Sequence, residues 1–217
     1  MIMTSIDGQP GFFIDGEMAQ AYRRDLEPVM GSLASYQTII DLGAGTGVFS
    51  QFLAAAGGYV IGVDRNQPSV QQAGLRVPHG HFVVADIEDQ GLPQSLPFVE
   101  HRADLVTARY AIHELADPIT TFRLWSQLIH PRGSMLLIEN CWQRRDWGWS
   151  PWGQQSDTLP LACTQTWATA VYCLRWAGWD VVHCGWMDAV NAHHTTRLIA
   201  GFRLYMILAR PPRASML

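Results

Sequence analysis

Cysteine is scarce in this chain, and basic clusters and long apolar runs are missing. The four cysteines, Cys141, Cys163, Cys173 and Cys184, include no C-x-x-C pair. Neither a zinc site nor a disulfide framework is therefore indicated, and a reduced, cytoplasmic setting is expected. No basic cluster is longer than two residues, as in Arg144-Arg145, followed at once by Asp146, and the formal net charge is −4. A nucleic-acid partner needs a basic patch, so none is expected. No uninterrupted apolar segment reaches membrane-spanning length, which predicts no membrane span. The first residues, Met1 to Asp7, lack the basic region and apolar core of a secretory leader. No internal repeat or low-complexity run breaks the chain. With 217 residues, 48% of them hydrophobic, a single domain over residues 1–217 with a large core is the expectation.

Against that plain background one stretch stands out. The apolar run Thr38-Ile39-Ile40 ends in Asp41, and Leu42-Gly43-Ala44-Gly45-Thr46-Gly47 follows before an apolar, alanine-rich segment. This reads as a buried strand, a tight turn with little side-chain bulk and a helix start. Glycine lets the backbone take positive φ and lets a ligand approach the main chain. The spacing is G-x-G-x-G, and Val48 stands where the dinucleotide fingerprint wants its third small residue. A second run, Tyr59-Val60-Ile61-Gly62-Val63, ends at Asp64, about twenty residues beyond the first glycine, where a carboxylate can accept both ribose hydroxyls. A third, His81-Phe82-Val83-Val84-Ala85, ends at Asp86-Ile87. A fourth, Ala103 to Ala108, leads into Arg109-Tyr110-Ala111-Ile112-His113-Glu114-Leu115. Then Leu128-Ile129-His130-Pro131-Arg132-Gly133 opens a fifth run that ends at Glu139.

In this order and at these distances, the landmarks over residues 38–139 resemble class I (Rossmann-like) S-adenosylmethionine (SAM)-dependent methyltransferases. Acid-x-G-x-G-x-G is similar to their motif I, the Ala108-Arg109-Tyr110 turn to motif IV, and Leu128 to Gly133 to the L-x-P-G-G turn, with Arg132 in place of its first glycine. The resemblance implies an α/β fold, a doubly wound seven-stranded mainly parallel sheet of order 3-2-1-4-5-7-6 with the last strand antiparallel. It implies SAM as cofactor, with S-adenosylhomocysteine as product and no metal. Gly43, Ala44, Gly45 and Gly47 would shape the turn under the ribose and methionine part, and Asp41 would fix the turn or reach the ammonium through water. Asp64 would take the ribose hydroxyls with Arg65 beside the adenine. Asp86 would accept from the adenine amino group, with the main chain at Ile87 reading the ring edge. Carbonyls near Gly43 and at Ala108 or Arg109 would receive the ammonium, and Tyr22 could close over the methionine carboxylate. The bland alternative is that Asp64 and Asp86 only cap the helices that follow them.

Alternating strand and helix signals agree with a parallel sheet. An N-terminal helix outside the sheet is expected within residues 18–35, and further helices over about Thr46–Ala56, Gln67–Leu75, Pro118–Ile129 and Gln165–Ala177. Asp89–Arg102 reads as loop with at most a short helix. Trp179–Trp186 and Thr196–Ala209 read as the last two strands, with His193-His194 in a polar hairpin loop between them. Residues 140–165 do not belong to the common core. They carry Trp142, Trp147, Trp149 and Trp152, and a long irregular segment in a compact domain is more often functional than idle. At the carboxyl end of the sheet it would form a lid or acceptor-pocket wall that binds substrate. The same tryptophans could instead fill a satellite core or a homodimer interface.

An aromatic, weakly charged pocket suits a flat apolar or aromatic small molecule, or a cation over indole faces. The turn Ala108-Arg109-Tyr110-Ala111 lacks the N-P-P-Y-type tetrapeptide of many amide-nitrogen methyltransferases. The resemblance implies in-line displacement, in which the acceptor oxygen, nitrogen or carbon attacks the sulfonium methyl. His113 is the first candidate base, Glu139 the second, and Tyr110 could orient the acceptor. The favoured reading is a small-molecule methyltransferase of natural-product biosynthesis. The alternatives are a peptide or protein methyltransferase, or a SAM-binding fold with other chemistry or a structural role. Deletion of residues 142–152 is expected to leave cofactor binding nearly intact while abolishing turnover; equal loss of both, in calorimetry and a methyl-transfer assay, would refute the lid.

Overall fold

The computed structural model describes residues 14–97, 102–141, 159–162, 166–194 and 203–212. The chain starts with α1 (Gly16–Met30), capped by the Asp15 carboxylate, which accepts the Met18 N–H at 2.8 Å. A 3₁₀ turn at Leu33–Ser35 leads into β1 (Thr38–Leu42), α2 (Val48–Ala55) and β2 (Tyr59–Asp64). Next come α3 (Gln67–Arg76), β3 (His81–Val84), the short α4 (Leu92–Ser95) and β4 (Ala103–Arg109). A 3₁₀ turn at Ile112–Glu114 precedes α5 (Pro118–Trp125) and β5 (Ile129–Cys141). The chain closes with α6 (Ala168–Trp176), β6 (Asp180–Trp186), α7 (Asp188–His194) and β7 (Arg203–Arg210).

The seven strands form one sheet of order β3-β2-β1-β4-β5-β7-β6. The first five pair in parallel, and β7 runs antiparallel to both β5 and β6. The expected α/β fold and strand order are both present. Successive side chains alternate between faces, and both faces are covered, which is why the strands read as apolar runs rather than as clean alternation. On one face Ile40, Leu42, Ile61, Val106 and Leu137 pack with Phe122 and Trp125 of α5 and Leu174 of α6. On the other, Ile39, Leu105, Leu136 and Ile138 pack with Tyr22 and Leu26 of α1, Phe49 and Leu53 of α2, and Val190 of α7.

Two small features set the amino end of the sheet. The Asp104 carboxylate accepts the N–H groups of Gln37 and Thr38, both at 3.1 Å, and so fixes where β1 begins. A Cβ on Gly133 would lie 2.8 Å from the Asp104 carbonyl oxygen, so this position demands glycine, whereas the exposed Arg132 beside it is tolerated. Among the described residues, no helix is long and apolar enough to cross a membrane.

The last connection differs from expectation. Where a polar hairpin loop is predicted around His193-His194, the chain forms α7. Its first N–H groups, at Ala189 and Val190, are taken by the Asp25 carboxylate of α1 at 3.0 and 2.9 Å. That cap comes from the far end of the chain, so no local signal announces the helix. Residues 195–202, where the last strand was expected to begin, lie outside the described residues. The N-terminal helix also starts earlier than expected and stops at Met30, and β5 continues through Asn140 to Cys141 before the tryptophan-rich segment.

Buried Asn191 pins α7 to β7 like a piece of strand. Its amide donates to the Leu204 carbonyl at 2.9 Å and its oxygen accepts the Leu204 N–H at 2.7 Å. Asn191→Ala leaves both Leu204 groups buried without these partners. We expect a loss of about 2–3 kcal/mol, read as a lowered urea midpoint at unchanged slope.

Candidate active site

The turn after β1 is held open at three glycines, with φ of +70° at Gly43, +52° at Gly45 and +80° at Gly47. Its donors are spent internally. Gly43 and Ala44 both donate to the Val63 carbonyl at 2.8 and 2.9 Å, and Gly47 donates to the Ala44 carbonyl at 2.9 Å. The Gly45 N–H goes to Asp64 Oδ2 at 2.8 Å. A phosphate-cradling loop leaves such donors aimed at the ligand. Here the turn offers bare main chain for close approach instead, which suits an uncharged nucleoside over a pyrophosphate. A Cβ on Gly43 would lie 2.6 Å from that of Ala111, and one on Gly47 2.9 Å from the backbone of Ala73. One on Gly45 would meet nothing within 4 Å, so Gly45 faces the open crevice.

Asp64 closes the tip of β2. Beside its bond to Gly45, Oδ1 accepts the Asn66 N–H at 2.8 Å. Each carboxylate oxygen retains a second lone pair, so the acid is rigidly placed and still able to accept from a diol. Asp86 makes a local turn by accepting the Glu88 N–H at 2.9 Å. The Ile87 carbonyl takes the Trp125 indole N–H at 2.9 Å. Glu88 in turn accepts from the N–H groups of Ala116 and Asp117 and the hydroxyl of Thr121, each at 3.1 Å. The segment after β3 is thereby clamped to the start of α5. Arg65 reaches over the crevice to Glu114 at 2.8 Å, linking the β2 tip to the turn after β4.

Beneath the glycine turn, the buried Asp41 carboxylate takes hydroxyls from Ser50 of α2 at 2.6 Å and Thr107 of β4 at 2.9 Å. Ala108 is buried where β4 pairs with Leu42 of β1. Two residues beyond Thr107 on the same face, Arg109 donates to the Tyr22 hydroxyl at 3.1 Å. Its guanidinium lies 5.4 Å from the Phe49 ring centre and 5.0 Å from that of Tyr110. Tyr22 is fully buried, so it supports Arg109 from behind rather than facing the crevice. Tyr110 takes a left-handed φ of +55°, alone among the described non-glycine residues. A bulky residue rarely accepts that strain outside a functional turn. Burial pushes its phenol well above the ordinary tyrosine range, with Tyr22 adding to the effect.

On the opposite face, His113 and Glu139 meet. His113 sits in the 3₁₀ turn after β4, and its Nδ1 lies 3.0 Å from Glu139 Oε2 at the end of β5. The other carboxylate oxygen accepts the Asn140 N–H at 2.9 Å. Burial alone would depress the His113 pKa. The Glu139 charge and hydrogen bond outweigh it, Glu114 adds to them, and the imidazole is held above its usual value. Tyr205 of β7 pairs directly with Glu139 across the antiparallel ladder, and Trp186 of β6 pairs with Tyr205. Trp167 packs edge-on against Trp186 with ring centres 4.9 Å apart, and lies 6.1 Å from Tyr205. An aromatic wall therefore stands beside the His113–Glu139 pair. Nearby, burial pushes the Cys141 thiol up to about 11, which leaves it an inert thiol.

The structure thus brings the predicted cofactor residues Asp41, Gly43, Ala44, Gly45, Gly47, Asp64 and Ala108 to the carboxyl ends of β1, β2 and β4. His113, Glu139 and Tyr110 gather at the neighbouring ends of β4 and β5. Trp142, Trp147, Trp149 and Trp152 lie outside the described residues. Sequence reasoning missed Ser50, Thr107, Glu114, Trp167, Trp186 and Tyr205. The hydroxyls carry no pattern of their own. Trp167 opens a helix and Trp186 ends a strand, so each reads locally as ordinary core.

Residues 40–137 match the family model described as methyltransferase domain. An uncharacterized methyltransferase of Synechocystis is 35% identical over 36% of this chain and 34% of its own length. Demethylmenaquinone methyltransferase of Corynebacterium urealyticum is 31% identical over 49% of this chain and 43% of its own. The chain therefore spans less than half the length of these curated relatives. Among solved structures, a geranyl diphosphate methyltransferase in complex with SAM covers 90% of this chain and 85% of its own, with a TM-score of 0.61 at 16% identity. This last likeness is one of fold. Residues 40–137 thus match a methyltransferase domain, and the sheet has the strand order of the class I SAM-dependent methyltransferases that the sequence resembles.

Proposed function

We propose that the protein transfers a methyl group from SAM to the oxygen or nitrogen of a small, aromatic or apolar acceptor. The observation that carries this reading is the joint between the two cofactor motifs. Asp64 holds Gly45 of the glycine turn at 2.8 Å, so the ribose acceptor and the bare main chain share one crevice at the carboxyl ends of β1 and β2, where open α/β sheets bind ligands. Asp41, Gly43, Ala44, Gly45, Gly47, Ala108 and the Arg109 carbonyl would surround the methionine part. Asp64 and Arg65 would flank the ribose and adenine, with Asp86 and Ile87 at the ring edge. A polar cluster able to hold a metal plays no part in this scheme.

SAM supplies a methyl already activated on a sulfonium, so the chain's own work is alignment, exclusion of water and handling of one proton. The acceptor atom forms its bond to the methyl carbon as the carbon–sulfur pair withdraws to sulfur, leaving the neutral thioether of S-adenosylhomocysteine. The acceptor proton passes to His113 Nε2, which is basic when Nδ1–H donates to Glu139. Tyr110 remains a phenol and can only orient. The aromatic wall of Trp167, Trp186 and Tyr205 would stack a flat acceptor, to which the tryptophans of residues 142–152 would add a lid. A relative whose name specifies demethylmenaquinone supports an acceptor of this ring type. A biosynthetic role in the cytoplasm, as a monomer or a homodimer, completes the reading.

Calorimetric titration with S-adenosylhomocysteine tests the cofactor half. Wild type is expected to bind in the micromolar range, and Asp64→Ala to weaken binding about 100-fold, as loss of charge-assisted bonds at the diol predicts. Wild type that stays folded and does not bind would sink the proposal.

The base is tested by pH. A general base must be neutral, and His113 is held above its usual value, so single-turnover methyl transfer should rise with pH through a midpoint above about 6.5. Stability should run the other way, because the raised folded pKa makes the pair's contribution full below about 6.5 and lost as pH climbs through it. His113→Gln should lower the rate about 100-fold and flatten the profile; a variant with the wild-type profile would reduce His113 to a brace for the turn.

A further inference from the structure

Arg203 opens β7 directly across the ladder from Cys141, the last residue of β5. Two residues back along β5, Glu139 pairs in the same way with Tyr205. Directly paired residues point to the same side of a sheet, and positions two apart share a face. Glu139, Cys141, Tyr205 and Arg203 therefore lie on the face that carries Trp186 and Trp167. Glu139, Tyr205 and Cys141 are buried and Arg203 is exposed. One step of about 7 Å along the strands thus leads from the His113–Glu139 pair to a cation at the rim.

The guanidinium lies over the Trp186 ring, 3.9 Å from its centre. An arginine stacked on an aromatic face is held in place and keeps its in-plane donors available. Its ion pair among the described residues is with Asp188, at 4.0 Å, too long for a hydrogen bond. That acid is itself exposed, so the pair is loose and screened. The Arg203 charge also reaches Cys141, where it works against the burial that raises the thiol. From this geometry we infer that Arg203, stacked on Trp186, binds a carboxylate of the acceptor, and that the acceptor is a phenolic acid whose hydroxyl meets His113. The inference rests on the methyltransferase reading and deepens it, from an aromatic ring to an aromatic acid. A benzene ring with hydroxyl and carboxylate para to each other spans one such step along the strands. Glu139 repels a carboxylate at the inner end and Arg203 attracts it at the rim, so the two charges set the direction of the ring. The fork of a single arginine matches the two oxygens of a carboxylate and balances its one charge, which favours it over a phosphoryl group.

Calorimetry on the whole chain saturated with S-adenosylhomocysteine tests this with para-hydroxybenzoate and para-hydroxybenzamide, which keeps the ring and hydroxyl and lacks the charge. Wild type should bind the acid about tenfold more tightly, an advantage that shrinks as salt is added because the cation is half-exposed. In Arg203→Gln the advantage should vanish while the amide binds as to wild type, and Arg203→Lys should keep part of it. Wild type that binds S-adenosylhomocysteine but prefers the amide, binds the two alike or takes neither overturns the assignment and leaves the methyltransferase reading standing. An Arg203→Gln protein that keeps the preference also overturns it. So does one that loses acid and amide equally, the result of a purely structural stack on Trp186. Failure of wild type to bind S-adenosylhomocysteine would instead remove the methyltransferase reading, and this inference with it.

Discussion

The buried carboxylate of Asp41 is the joint on which the site depends. One acid at the end of β1 holds a hydroxyl from α2 and a hydroxyl from β4, so three elements meet at a single side chain directly below the glycine turn. Burial pushes the carboxyl above its usual range despite both hydrogen bonds. A raised acid binds its proton more tightly folded than unfolded, so at neutral pH Asp41 works against folding. An apolar residue would pack there at less expense. What the acid supplies is a fixed angle between β1, α2 and β4, and a negative field at the spot where an ammonium is expected.

From that joint the constraints spread outward in layers. The turn above Asp41 has no donors to spare at Gly43, Ala44, Gly45 and Gly47, because β2 and the turn itself take them. Its shape is therefore set by the fold before a ligand arrives, which is the condition under which binding energy is not spent on ordering. Asp64 is fixed by the same bonds it provides. On the far side, Glu88 and the Trp125–Ile87 bond tie the segment after β3 to α5. The turn carrying His113 stands just before that helix. The segment after β3 and the His113 turn after β4 are therefore joined through a common support, although β2 and β1 lie between those strands in the sheet.

Legibility in the sequence followed the same layering. The strand order and the candidate cofactor residues rest on short-range signals: an acid at a strand end, glycines two apart, a second acid about twenty residues on. Each signal is a local demand of the backbone, so it survives in one sequence. Helix α7 does not, because its cap is Asp25 and its anchor is Leu204. Nor do the distant partners of Arg109, because Tyr22 comes from α1 and Phe49 from α2. The pair His113 and Glu139 was legible as two separate candidates. That they are one unit, with Nδ1 3.0 Å from the carboxylate, needed the register of β4 against β5.

The same distinction separates the candidate cofactor site, built on the parallel strand tips, from the acceptor side. The proposed nucleoside site is made of the strand tips that the fold itself generates, so fold and site are one problem. The proposed acceptor surface draws on Trp167 at a helix start and on Trp186 and Tyr205 of the antiparallel pair. Trp186 lies on the edge strand β6 and Tyr205 on β7, both beyond the five parallel strands. A fold with a fixed donor site and a replaceable acceptor wall can serve many reactions. In this chain the wall is aromatic and the buried pair beside it can take a proton, so ring stacking and one deprotonation are the chemistry that these residues are equipped to supply.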